Sequence, residues 1–216
     1  MGGGEWQPGC ECDAELLERA GGEVLIVPTA AAYEHPERAV ALAEQWFSKL
    51  GGRARELPVL GRSDAQDQAN VDVVRSARFI YLGGGSPLHL RSVMKSSPVW
   101  DAIRETWKAG AVLAGSSAGA MVLGDPMVDP RGGAYTLGLG VIPQVAVVPH
   151  YGSWSKEKFG RTVKLASGGV VVAGIEERTG LIREPDGTWR VVGTGDVTLW
   201  LEGHEVGADA LPHPIF

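Results

Sequence analysis

The sequence has two cysteines, Cys10 and Cys12, in 216 residues. One intervening residue is poor spacing for a disulfide, and two thiols fall short of the about four ligands a structural zinc takes. The pair therefore reads as two thiols in a loop, with no metal site implied. Basic residues are also short: 20 Lys and Arg stand against 26 Asp and Glu, a net charge of −6. That balance excludes the basic footprint of a nucleic-acid binder. No apolar run approaches the roughly 20 residues of a membrane span, so no membrane partner is expected. The opening MGGGEWQPGC lacks the basic and apolar segments of a secretory signal, and the expected location is cytoplasmic. Hydrophobic residues at 44% and charged residues at 21% exclude a disordered or fibrous chain.

What is present is a chain sized for one domain spanning 1–216, in which short apolar runs alternate with helical patterns. VLIVPT (24–29), RFIYL (78–82), AVLAG (111–115), QVAVV (144–148) and VVVAGI (170–175) read as buried strands, and 53–59 as a further one. Residues 36–50 read as a helix with Pro36 in its first turn and Gly51 at its end. Ser63 and Gln66 form a capping-box pattern for a helix to about Ala77. Ser97 and Pro98 start another helix, ended by Gly110. A weaker helix covers 154–166, and Asp186-Gly187 marks a hairpin followed by a strand at 197–201. Gly2-Gly3-Gly4 looks like the glycine turn that leaves a strand, with no strand-forming run before it. Uniformly apolar strands alternating with helices predict an α/β fold: a three-layer α/β/α sandwich with a mostly parallel sheet and a C-terminal β-hairpin region.

In such a sheet, ligands bind beyond the carboxyl ends of the strands. Those ends carry Gly83-Gly84-Gly85, Gly115-Ser116-Ser117-Ala118-Gly119, His150, and Glu176-Glu177. G-x-S-x-G between strand and helix is a nucleophile-elbow pattern: a sharp turn strains the central residue, so its neighbours must be small. The hydroxyl of Ser117 would stand clear of the sheet at a helix N-terminus. It needs a base, and His150 is better placed than His35, His89, His204 or His213. The imidazole needs a carboxylate behind it. Glu176 and Glu177 are the candidates, and adjacent extended residues point opposite ways, so one of them faces His150. The amide of Ala118 and one from the bare glycine loop would hold an oxyanion.

This ordered set resembles the peptidase E and cyanophycinase family of serine peptidases, which has the class I glutamine amidotransferase-like fold. The likeness runs from GGGEW at 2–6, through GGGS, GSSAGA and PHY, to GIEERT. It implies Ser117 as nucleophile, His150 as base, Glu177 ahead of Glu176 as acid, and the amides of Gly85 and Ala118 as oxyanion hole. It implies no metal and no organic cofactor. The implied partner is a small peptide or isopeptide substrate, cut next to aspartate. Gly84, Ser86, Arg161 and Trp154 are the candidate substrate contacts, with Arg178 as a second guanidinium. Ser116 and Ser86 stand where peptidase E relatives have Trp and Asn, and YGSWSKEKFGRT lacks the arginine density of cyanophycinases. The amidotransferases of this fold place cysteine at the elbow, where this chain has serine. A homodimer is compatible with the chain. The competing readings are a non-catalytic binding or regulatory module and an esterase for small esters.

Overall fold

The computed structural model describes residues 1–212, so His213 lies outside the described residues. The chain divides into two compact units, Trp6–Gly119 and Met1–Glu5 with the chain from Ala120 on.

In the unit of Trp6–Gly119 the elements are α1 (Cys12–Arg19), β1 (Glu23–Val27), α2 (Pro36–Lys49), β2 (Arg53–Glu56), α3 (Gln68–Arg75), β3 (Phe79–Leu82), α4 (Pro87–Met94), α5 (Pro98–Lys108) and β4 (Val112–Gly115). The strands form a wholly parallel sheet in the order β2-β1-β3-β4. The step from β1 to β2 moves one way along the sheet, and the steps to β3 and β4 move the other. Right-handed crossovers then place α2 on one face and α3, α4 and α5 on the opposite face. Alternation along β3 agrees: Phe79 and Tyr81 meet Phe47 of α2, with ring centroids 6.0 and 6.3 Å apart. Trp6 extends this cluster, 5.4 Å from Tyr81. Phe47→Ala removes the ring at its centre. We expect a loss of about 3–5 kcal/mol, read as a lowered thermal midpoint.

Local chemistry sets the helix ends. Ser97 accepts from the Trp100 amide at 3.1 Å, with Pro98 as the first helical residue of α5. Ser86 does the same for α4, accepting from the His89 amide at 3.3 Å. The expected capping box at Ser63 is corrected by the structure. Residues 64–66 form one tight turn, the chain extends at Asp67, and α3 starts at Gln68. The Asp64 carboxylate is turned back to the amides of Leu60 and Gly61, at 3.0 and 2.8 Å. Asp67 is the cap instead, accepting from Ala69 at 2.9 Å. The thiol region is corrected too, because Cys12 opens α1 rather than sitting in a loop.

A short helix α6 (Ala118–Leu123) leaves the elbow. The other unit then holds β5 (Gly124–Asp125), β6 (Met127–Val128), β7 (Tyr135–Thr136), β8 (Ile142–Pro143), β9 (Val145–Val148), α7 (Lys156–Leu165), β10 (Val171–Ile175), β11 (Thr179–Arg183), β12 (Trp189–Gly193), β13 (Val197–Leu201) and β14 (His204–Val206). Its main sheet runs β14-β13-β10-β9: β9 and β10 are parallel, and β13 and β14 are antiparallel to their neighbours. β11 and β12 form the hairpin expected at Asp186-Gly187. Val145, Val147, Val171, Ala173, Ile175 and Leu199 form the core of this unit, with Ala120 packed among them. No helix among the described residues is long and apolar enough to cross a membrane.

Candidate active site

The edge where β3 and β4 end carries two special loops. Leu82 and Gly115 are register partners. Gly85 and Ala118 therefore each lie three residues beyond one rung of the ladder. After β4 the chain turns sharply: the Ser116 amide donates to the Leu82 carbonyl at 3.0 Å, and the Gly119 amide to the Ser116 carbonyl at 2.8 Å. Ser117, between them, has φ +50, a left-handed conformation that is costly for serine. Ser116 is fully buried while Ser117 is half-buried. A Cβ at Gly119 would sit 2.1 Å from the Leu82 carbonyl oxygen, so only glycine lets the turn close against β3. Ala118 is the first residue of α6, where a backbone amide has no acceptor within the helix.

The glycine loop is built as tightly. The Gly83 amide donates to the Val27 carbonyl at 3.1 Å and the Ser86 amide to the Ala30 carbonyl at 2.8 Å. Gly85 has φ +129, and a Cβ there would lie 2.3 Å from the Ala30 carbonyl oxygen. Gly84 is half-buried beside it. The hydroxyl of Ser86 is occupied in capping α4.

In the other unit, β9 and β10 end side by side, with Val148 paired to Gly174. His150 follows β9 with φ +51. Its Nδ1 is 2.9 Å from Oε1 of Glu177. A carboxylate only accepts, so the proton of neutral imidazole sits on Nδ1 and Nε2 keeps its lone pair. Both side chains reach solvent, 36% and 57% exposed. The contact is therefore worth more as an orienting bond than as stabilisation. Glu176 is not brought to the ring. Its Oε2 accepts from the Asp196 amide at 3.1 Å, on the Gly195-Asp196 loop. Alternation along an extended chain is not the cause: β10 ends at Ile175, and the two glutamates part where the chain enters a turn at Glu177 and Arg178, the latter with φ +55.

Of the candidate substrate contacts, Trp154 carries the Lys158 ammonium over its ring at 3.9 Å, while that ammonium also donates to the Pro130 carbonyl at 3.0 Å. Arg161 is exposed on α7, and Arg178 is exposed directly after Glu177. The other histidines serve elsewhere. The ring of His35 lies 3.1 Å from Glu37, His89 Nε2 lies 2.9 Å from the Leu60 carbonyl oxygen, and His204 opens β14. Cys10 is buried, and burial pushes the Cys12 thiol up to about 12, which makes it a poor thiolate source.

Sequence reasoning left Gly2 and Gly3 without a role. The structure places them against the His150–Glu177 pair. The His150 amide donates to the Gly2 carbonyl at 2.7 Å, and the Arg178 amide to the Gly3 carbonyl at 2.8 Å. The glycine run was the available signal, but backbone that packs against a ring leaves no side-chain pattern to read.

A serine held on a left-handed strand-to-helix turn, and an imidazole oriented by a carboxylate, are working parts of the serine hydrolases. The chain belongs to peptidase family S51, whose profile matches residues 2–189. A cyanophycinase from Synechococcus elongatus is 29% identical over 198 residues, covering 85% of this chain and 61% of that protein. The chain thus spans less than two thirds of that relative's length. The crystal structure of a peptidase from an acI-B1 Actinobacterium superposes with a TM-score of 0.84 at 33% identity, covering 95% of this chain and 91% of that one. A putative peptidase E from Listeria monocytogenes EGD-e shares the fold, with a TM-score of 0.61 at 17% identity, over 89% of this chain and 92% of that one.

Proposed function

We propose that this serine peptidase cleaves a peptide or isopeptide bond next to an acidic, aspartyl residue through a Ser117–His150–Glu177 triad. The observation that carries the reading is the 2.9 Å contact from His150 Nδ1 to Glu177. It holds the proton on Nδ1 and leaves Nε2 as the base. Nε2 takes the Ser117 hydroxyl proton as Oγ bonds to the carbonyl carbon. The amides of Ala118 and Gly85 receive the oxyanion. The imidazolium then gives its proton to the departing amine as the C–N bond breaks, leaving an acyl-serine. Water, deprotonated by the same Nε2, releases the acid and restores the serine. Arg161 or Arg178 supplies the guanidinium fork for the acidic substrate group, and Gly84, Ser86 and Trp154 line its approach. The cyanophycinase names of the relatives favour an aspartyl isopeptide among the substrates to be tried first.

The test uses a fluorophosphonate probe and matched substrates. The probe is expected to label Ser117, located by peptide mass spectrometry. Aspartyl peptides and β-aspartyl isopeptides should be turned over faster than the same compounds with alanine in place of aspartate. An absence of label at every pH tried would remove the nucleophile. Turnover of esters alone would make the protein an esterase.

A further inference from the structure

We propose that Gly3 is a positioning residue: its missing side chain and the carbonyls of Gly2 and Gly3 hold the imidazole of His150 in register with Glu177. The proposal rests on the assignment of His150 as base and adds what keeps that base aimed.

The geometry has three parts. Gly3 has φ +122, and a Cβ built there would lie 2.2 Å from Cε1, 2.6 Å from Nδ1 and 2.8 Å from Nε2 of His150. Every one of these is shorter than a real Cβ contact, so the ring occupies the space a side chain at position 3 would need. Second, the backbone amides of His150 and Arg178 donate to the carbonyls of Gly2 and Gly3, at 2.7 and 2.8 Å, and the Gly2 amide donates to the Thr179 carbonyl at 2.9 Å. Residues 2 and 3 thereby tie the residue that bears the imidazole to the one that follows Glu177. Third, a Cβ at Gly2 would lie 2.0 Å from the Glu176 carbonyl oxygen, so the segment is seated without slack on that side as well.

This seating answers a problem the pair has alone. Both side chains are partly exposed, and a solvent-facing contact between an imidazole and a carboxylate is by itself a weak restraint. The backbone of His150 is also left-handed and needs outside support. The Gly2 carbonyl fixes the backbone, Glu177 holds Nδ1, and the flank of Gly3 blocks the ring from swinging toward the N-terminal segment.

Gly3→Ala tests this. Pushing the ring off line by about 1 Å should lower kcat by about 10²-fold. KM should change little, because substrate binding is untouched. Unchanged kcat would overturn the proposal. A second measurement is independent of turnover: the loss of thermal midpoint caused by Gly3→Ala in the wild-type and in the His150→Ala background. Backbone strain is common to both, so the difference isolates the clash between methyl and ring. A smaller loss without the imidazole supports the proposal, and equal losses overturn it. Should Gly3→Ala alone not fold, a folded double variant supports the proposal and an unfolded one overturns it. Full activity of His150→Ala would instead remove the base assignment, while the stability cycle would still report the contact.

Discussion

Ser117→Ala is expected to abolish peptide hydrolysis, with kcat lowered by about 10⁶-fold, the scale seen when the nucleophile of a serine peptidase is removed. The hydroxyl oxygen is the one heavy atom lost. Alanine keeps a Cβ, so the turn between β4 and α6 keeps its strain, and the thermal midpoint should stay where it is. What remains is what binding and the oxyanion donors can do with water as nucleophile, about 10³–10⁴-fold over the uncatalysed reaction. The measurement needs a preparation free of wild-type enzyme, because traces of it would set the floor. A variant that still turns over substrate within tenfold of wild type would refute the covalent mechanism.

Glu177→Gln is the second large effect. A glutamine can present its NH₂ to Nδ1, which moves the imidazole proton to Nε2, the nitrogen that accepts from serine in the proposed mechanism. In a buried triad the equivalent change costs about 10⁴-fold in kcat. Glu177 is 57% exposed, and water can partly replace it. The expected loss is therefore between about 10² and 10⁴-fold, the span of general-base catalysis. Glu176→Gln is the matched comparison. Its carboxylate accepts from the Asp196 amide, so that variant should disturb the Gly195-Asp196 loop and leave kcat close to wild type. Equal losses in the two variants would refute Glu177 as the acid.

The strands were the most readable part of the fold. β3, β9 and β10 are fully buried runs of four or five apolar residues, and burial writes itself into such runs; β4 is as apolar, though of its residues only Gly115 is fully buried. α2 and α5 were equally plain, because Pro36 and the Ser97-Pro98 pair mark where each begins. α1 is hard to see in the sequence. Its sequence CDAELLER buries an aspartate, Asp13, which accepts from the Trp46 indole at 3.0 Å, and a buried acid blurs the polar–apolar stripe. α4 is eight residues long, set between Gly83-Gly84-Gly85 and Ser96-Ser97, and too short for an apolar stripe to stand out. The strands β5 to β8 are two residues each, shorter than any periodicity can register.

At the candidate site, composition and spacing pointed to Ser117 through its small neighbours, and the resemblance ranked Glu177 over Glu176. The residues alone left that pair open. Which of two adjacent glutamates meets the ring depends on the turn at Glu177 and Arg178 beyond β10, where the Arg178 amide donates to the carbonyl of Gly3, a residue far away in sequence. Gly3 illustrates the opposite limit. Its contribution is an absence, the space left for an imidazole, and an absence has no pattern along a chain.

The left-handed backbone of Ser117 has a consequence for the history of the molecule. Glycine would occupy that conformation without strain, so a chain drifting toward greater robustness would be drawn to give up its hydroxyl there. Under the mechanism proposed above, demand for its chemistry is what would keep the serine there. A descendant released from that demand would be expected to lose it early, keeping the scaffold and falling silent.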